Sequence, residues 1–211
     1  MKRIIVIFLL TYSVINAQWF WQNPLPQGNP LGTICFTNEN TGWTVGTGGT
    51  ILKTTDGGNS WETQNSGTDE YLLSCFFVNS TTGWVVGSNG LILKTTNGGL
   101  NWFPQISGTS NNLSSVYFTD LINGWAVGGV AIDTSATILN TSDGGVTWTT
   151  QFNEPGYSLT SAYFTDSNNG WASGWGGTIL HTQDGGMNWE NQRSVPNERL
   201  NSIYFFNENI G

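Results

Sequence analysis

Positive charge is scarce in this chain. Six lysines and arginines stand against 14 aspartates and glutamates, and charged residues make up only 9% of 211 positions. The few cations are too scattered to form a basic stripe, which argues against nucleic acid or an anionic membrane surface as partner. Histidine occurs once, at His181, and cysteine twice, at Cys35 and Cys75. With no His-x-x-x-His or Cys-x-x-Cys spacing, neither a metal site nor a cofactor is expected. No Gly-x-Ser-x-Gly nucleophile turn or phosphate loop occurs either. Long helical apolar spacing is missing, and the apolar run Ile4 to Leu10 is too short to cross a bilayer.

That run follows Lys2 and Arg3 and precedes a small residue at Ala17, the pattern of an export signal over residues 1–17. The expected destination is periplasmic, cell-surface or secreted. No direct membrane insertion is expected after its removal. The remainder, 18–211, would keep four basic residues, Lys53, Lys94, Arg193 and Arg199, against all 14 acidic ones.

What the chain has in abundance is glycine and tryptophan, 28 and 11 residues. Their arrangement is periodic. Thr54-Thr55-Asp56-Gly57-Gly58-Asn59-Ser60-Trp61 recurs as Thr95-Thr96-Asn97-Gly98-Gly99-Leu100-Asn101-Trp102, as Thr141-Ser142-Asp143-Gly144-Gly145-Val146-Thr147-Trp148, and as Thr182-Gln183-Asp184-Gly185-Gly186-Met187-Asn188-Trp189. The four tryptophans lie 41, 46 and 41 residues apart. A period of that size, built from short apolar runs and glycine turns, signals stacked supersecondary units.

Each unit opens with a period-two run, strand A, over Leu31 to Phe36, Leu72 to Phe77, Leu113 to Phe118, Leu159 to Phe164 and Leu200 to Phe205. After a polar turn comes strand B, as in Gly42-Trp43-Thr44-Val45-Gly46, with glycine at both ends where the chain must bend. Strand C covers Thr50 to Lys53 and its counterparts, and the box tryptophan begins strand D. Four antiparallel strands per unit is the organisation of a β-propeller blade, so the fold class is all-β. The 46-residue spacing places an insertion in one B-to-C turn, Gly129 to Ala136, read as a local loop elaboration. Counting back from Leu31 makes Phe20 the remnant of a lone strand D. Strand A of a fifth unit is present, and the sequence stops at Gly211, where the pattern predicts that a tryptophan comes next. The chain thus reads as a fragment of a longer propeller: four complete repeats plus partial ones.

Within the box, Asp56 is placed to accept hydrogen bonds from the N–H groups of the Gly-Gly turn and from the hydroxyls of Thr54 and Ser60. Calcium is disfavoured, because that ion needs several carboxylates in one loop and each box has one acid, or none where Asn97 stands. Asn97 for the acid, and Asn101 and Asn188 for the hydroxyl, are exchanges a turn tolerates. The box positions Thr54, Asp56, Gly58, Ser60 and Trp61 are accordingly read as structural. So are Thr95, Asn97, Gly99 and Trp102; Thr141, Asp143, Gly145, Thr147 and Trp148; and Thr182, Asp184, Gly186 and Trp189.

Thr-x-Asp-x-Gly-x-Ser-Trp resembles the bacterial-neuraminidase, or Asp-box, repeat. The longer pattern, Gly42-Trp43-Thr44-Val45-Gly46 through Thr50-Ile51-Leu52-Lys53 to Trp61, is more particularly similar to the photosystem II stability and assembly factor propellers. That resemblance spans Leu31 to Gly211. It implies a seven-bladed ring and, for photosynthetic members, a non-enzymatic role in assembling the photosystem. Such members present a basic face, whereas this chain beyond residue 17 has only Arg193 and Arg199, so fold and binding character are what carry over.

The same box also marks sialidases and xyloglucan-cleaving glycoside hydrolases. A sialidase needs three arginines and an Arg-Ile-Pro segment, which this chain lacks. A glycosidase needs two carboxylates about 5–9.5 Å apart. Asp69, Glu70, Asp133, Glu154 and Glu198 are expected in loops between strands D and A or B and C, the face where propellers commonly bind ligands. No catalytic residue is assigned. Two functions stay open: an exported, non-catalytic scaffold for a protein partner, and a carbohydrate-active propeller that binds or cleaves a glycan.

Function is better sought in what does not repeat. Trp175 replaces a small residue in the turn Gly174-Trp175-Gly176-Gly177, and with Asp133, Arg199, Asp69 and Glu154 it makes the candidate binding face. His181 takes the strand-end position of Lys53, Lys94 and Asn140. The cysteines break register: Cys35 aligns with Tyr117, Cys75 with Val116. Because side chains alternate along a strand, the thiols are expected on opposite faces of neighbouring units, unpaired.

Overall fold

The computed structural model describes residues 28–130, 135–154, 156–192, 198–207 and 209–211. The export segment 1–17 and the strand expected around Phe20 lie outside them. Four blades are present, each a four-stranded antiparallel meander whose strands neighbour one another in chain order. Blade 1 comprises β1 (Leu31–Phe36), β2 (Gly42–Gly46), β3 (Ile51–Thr54) and β4 (Glu62–Gln64). Blade 2 comprises β5 (Leu72–Phe77), β6 (Gly83–Gly87), β7 (Ile92–Thr95) and β8 (Phe103–Gln105). Blade 3 comprises β9 (Asn112–Phe118), β10 (Gly124–Val130), β11 (Ser135–Thr141) and β12 (Thr149–Glu154). Blade 4 comprises β13 (Leu159–Phe164), β14 (Gly170–Gly174), β15 (Ile179–Thr182) and β16 (Glu190–Asn191). This is the partial propeller expected from the repeat, with strand D beginning one residue after the box tryptophan.

Two expectations need correction. The insertion is mostly strand: β10 and β11 run on to pair Gly129 with Ala136 and Val130 with Ser135, leaving only 131–134 undescribed. The extra residues satisfy their own backbone groups by lengthening a hairpin, which an irregular loop could not do. Residues 200–205 form no strand, because among the described residues nothing offers them a ladder. They are held instead from blade 4, where the Leu200 N–H donates to the Gly174 carbonyl at 3.0 Å and the Phe205 ring stacks on Trp171 at 3.8 Å.

The second strand of each blade is buried throughout, except for Val130 at the end of the lengthened β10, and its tryptophan makes the contact between blades. Trp43 stacks on Phe77 at 3.6 Å, Trp84 on Phe118 at 3.5 Å and Trp125 on Phe164 at 3.7 Å. Each of those phenylalanines closes strand A of the following blade, and the box tryptophan of its own blade meets it edge-on, as Trp102 meets Phe77 at 5.9 Å. The core is therefore three inter-blade clusters, between blades 1 and 2, 2 and 3, and 3 and 4. At the close of strand B only glycine fits: a Cβ on Gly87 would lie 2.2 Å from the Tyr71 carbonyl oxygen, and one on Gly128 1.9 Å from that of Asn112. Blade 1 has no blade before it among the described residues, and its Ile34 and Phe36 are 57% and 45% exposed where their counterparts Cys75 and Phe77 are buried.

Candidate functional site

The box bonds differently from the sequence expectation in one respect. The glycine N–H goes to the threonine: Gly58 donates to Thr54 Oγ1 at 2.8 Å, and Thr54 Oγ1 in turn donates to Asp56 Oδ1 at 2.8 Å. The carboxylate's other donors are the Ser60 N–H to Oδ1 at 2.9 Å and the Ser60 hydroxyl to Oδ2 at 2.6 Å. A hydroxyl can both accept and donate, so Thr54 sits at the centre and Asp56 closes the loop around it. The second glycine of each box, Gly58, Gly99, Gly145 and Gly186, has φ between 88° and 91°, a conformation that excludes other residues. Bonds from the Ser60 hydroxyl, the Ser60 N–H and Thr54 hold the Asp56 carboxyl down to about 2; Thr147 and Thr141 do the same for Asp143, also to about 2, and Asp184 is lowered chiefly by Asn188. All of this is internal fastening. It leaves Asp56 with both oxygens already engaged.

The box also fastens one blade to the next, which the sequence did not reveal. The carbonyl of the first glycine in a box accepts from the preceding blade. Gly98 takes Lys53 Nζ at 3.0 Å and Gln64 Nε2 at 3.1 Å; Gly144 takes Lys94 Nζ at 2.7 Å and Trp84 Nε1 at 3.2 Å; Gly185 takes Trp125 Nε1 at 3.1 Å and Gln151 Nε2 at 2.9 Å. Lys53 and Lys94 reach across the tryptophan rings of their own blades, at 5.2 and 5.3 Å from the centroids. Two of the chain's few cations are thereby committed to the ring. His181, at the matching place in blade 4, stacks on Trp171 at 4.6 Å and meets Gln192 Nε2 through Nδ1 at 3.2 Å.

Of the candidate binding face, the structure brings together Trp175 and Arg199. The Arg199 guanidinium lies over the Trp175 ring at 4.5 Å. Trp175 opens a short 3-10 turn, Trp175–Gly177, which is tied to its surroundings by the Trp175 N–H to the Ser158 carbonyl at 3.1 Å and the Gly177 N–H to the Glu198 carbonyl at 2.6 Å. The indole remains 36% exposed. Sequence reasoning missed Tyr157, whose ring lies across Gly176: a Cβ there would sit 2.2 Å from it. Tyr157, Trp175 and Arg199 together make an aromatic surface that carries one positive charge.

The other candidate residues stand apart from this cluster. Asp69 lies in the connection from β4 to β5 and lines a polar hollow of about 500 Å³ with Asn29, Gly48 and Thr68. Glu154 is the last residue of β12, paired with Ala136, and so is on a strand rather than in a loop. Asp133 lies outside the described residues. Glu70 is engaged by Ser88 Oγ at 2.5 Å and by Asn89 Nδ2 at 3.0 Å, bonds that lower its carboxyl from the usual range. Among the described residues no group of three or more His, Cys, Asp or Glu is placed to hold a metal, and no helix is long and apolar enough to cross a membrane.

The opposite end of the blades carries a groove that sequence reasoning passed over as a polar turn. Between blades 2 and 3, Phe76, Phe118, Asp120, Leu121 and Ile122 border a space of about 730 Å³. Leu121 and Ile122 are half-exposed. Asp120 is engaged locally, accepting from the Ile122 and Asn123 N–H groups at 2.7 and 2.8 Å.

The cysteines correct a further expectation. Cys35 and Cys75 do sit on opposite faces of equivalent strands, yet their sulfurs are 2.9 Å apart. Blades stack face to face, so the rear of one strand A meets the front of the next, and opposite faces are the ones that touch. Register alternation was sound; the inference of separation was not.

Comparison with known proteins agrees with this architecture. The family described as Photosynthesis system II assembly factor YCF48 matches residues 13–107 and 105–200. No curated protein matches. Among solved structures, YCF48 bound to D1 peptide is similar with a TM-score of 0.66 and 22% identity, over 86% of this chain and 59% of that one. YCF48 from Cyanidioschyzon merolae gives 0.64 and 24%, over 86% and 62%. An ancestral GH74 enzyme gives 0.65 and 18%, over 81% of this chain and 25% of that one. The chain thus spans about three-fifths of the two YCF48 structures, and at these identities the likeness concerns the fold. Repeats, box geometry and the family match over both halves place this chain in the photosystem II assembly factor YCF48 family of Asp-box propellers.

Proposed function

We propose that this protein is an exported, non-catalytic propeller that holds a segment of a client protein against Tyr157, Trp175 and Arg199. The observation that carries the reading is the Arg199 guanidinium seated 4.5 Å over a partly exposed Trp175, at the one B-to-C turn where an aromatic replaces a small residue. Stacking on the indole restricts the guanidinium and leaves its edge for a carboxylate, while the two rings supply apolar area at little entropic cost. The similarity to a YCF48 structure bound to D1 peptide supports a peptide ligand over a glycan. Export rests on residues 1–17.

An array of short peptides, differing in net charge and in whether they end in a free carboxylate, tests the reading. Binding should be weakened at least tenfold by Trp175→Ala and by Arg199→Ala, with thermal stability unchanged. Binding indifferent to both substitutions would overturn the site. Hydrolysis of a polysaccharide panel that is lost in Asp69→Ala or Glu154→Ala would establish the glycoside hydrolase reading in its place.

A further inference from the structure

The geometry points to a covalent cross-link site between blades: Cys35 of β1 and Cys75 of β5 are placed to be oxidised to a disulfide that staples blade 1 to blade 2. The matching positions at the other junctions carry an aromatic against an aliphatic residue: Phe76 meets the cluster containing Val116, and Tyr117 the cluster containing Ala162. Only between blades 1 and 2 are both members replaced, and both by cysteine. The two substitutions fall at different registers of the repeat, so each breaks its own column, yet they converge on a single contact. The sulfurs lie 2.9 Å apart, inside the distance of ordinary packing, and each thiol is flanked by strand backbone that fixes its approach: Cys35 pairs with Trp43 on β2, Cys75 with Val85 on β6.

The two sulfurs differ in access, and this sets the order of events. Cys75 is buried, and the hydrogen bond with Cys35, followed by desolvation, pushes its pKa well above the ordinary thiol range. Cys35 is only half-buried. An oxidant of the disulfide class, such as glutathione disulfide or a protein disulfide, is therefore attacked first by the Cys35 thiolate, which forms a mixed disulfide and expels one oxidant thiol. The Cys75 thiol then gives up its proton and attacks Cys35 Sγ, expelling the second. Two thiols and one oxidant disulfide become one protein disulfide and two oxidant thiols. The bond closes a loop of some forty residues, which lowers the entropy of the unfolded chain.

The test uses the full chain held in glutathione redox buffers, then alkylated under denaturing conditions and weighed intact. The expected product is a monomer lighter by two hydrogens, with a proteolytic fragment joining Cys35 to Cys75, and a Tm several degrees above that of the reduced protein. Cys35→Ser and Cys75→Ala should each abolish the mass change and the Tm shift, while the reduced forms of wild type and Cys35→Ser melt together. Two alkylated thiols at every glutathione ratio would overturn the inference. So would a stable glutathione adduct on Cys35, or cross-linked dimers without the internal fragment. Mass and Tm are read without any peptide ligand, so the result is independent of the binding site proposed above.

Discussion

Removing the same ring from two blades should cost very different amounts. Phe118 and Phe36 occupy one repeat position, but Phe118 is 2% exposed and held between Trp84, stacked at 3.5 Å, and Trp148, edge-on at 5.9 Å, while Phe36 is 45% exposed and has Trp61, edge-on at 6.3 Å, but no indole stacked on its face among the described residues. Phe118→Ala opens a cavity against two indoles that cannot both collapse into it, a loss of about 3–5 kcal/mol. For Phe36→Ala half the transfer term is already absent and no closed cavity forms, so about 1 kcal/mol is expected. Urea unfolding of the 211-residue chain, followed by tryptophan fluorescence, would read the difference. At a slope of about 2–3 kcal/mol per molar, the Phe118→Ala midpoint should fall about 1 M further. Equal midpoints would refute the view that the tryptophan of the preceding blade, rather than the blade's own strands, supplies most of the stability at this position.

Thr141 lies at the centre of its box, so Thr141→Ala, which strands the Gly145 and Asp143 N–H groups now 2.8 and 3.3 Å from its hydroxyl, should cost about 2–3 kcal/mol in chemical denaturation, and Thr141→Ser should recover most of it. Lys94→Met should destabilise by only about 1 kcal/mol, because Trp84 Nε1 still donates to the Gly144 carbonyl at 3.2 Å; a larger loss in the same assay would assign the lysine the main role. The box aspartates set the acid limit: the carboxyls of Asp56 and Asp143 titrate near 2 when folded against 3.8 as free groups, so their contribution is complete above 3.8 and disappears as pH falls through about 2. Tm measured against pH should stay level from neutrality down to that window and then drop, with a shallower drop in Asp143→Asn.

Much of the architecture was legible in the chain because its signals are local. Cys75 and Phe77 are buried with Phe76 between them, so alternation marks the second half of β5, and the glycines of the turns mark where it must end; the register shift between Leu72 and Ser74, which lets Leu72 share the buried side, is not written in that alternation. The box could be recognised as a turn because Asn97 substitutes for the acid without loss of the loop: Thr95 Oγ1 still takes the Gly99 N–H at 2.9 Å. Trp175 could be singled out because it departs from its column. Tyr157 could not, since its value as a partner for Trp175 depends on Gly176 leaving room for a ring. Leu121 and Ile122 were hidden inside what reads as a polar turn, and form a groove only because Phe76 of the neighbouring blade supplies the other wall.

By itself the sequence determined the strands and turns of the four blades and which residues each box draws together, since these depend on residues a few positions apart and on the two-residue period of a strand. Only the tertiary structure decided what one blade does to the next. That Lys94 and Trp84 converge on Gly144 and that Cys35 and Cys75 meet are consequences of stacking blades face to face. Stacking joins the back of one repeat to the front of its neighbour, and no alignment of the repeats on one another contains that relation.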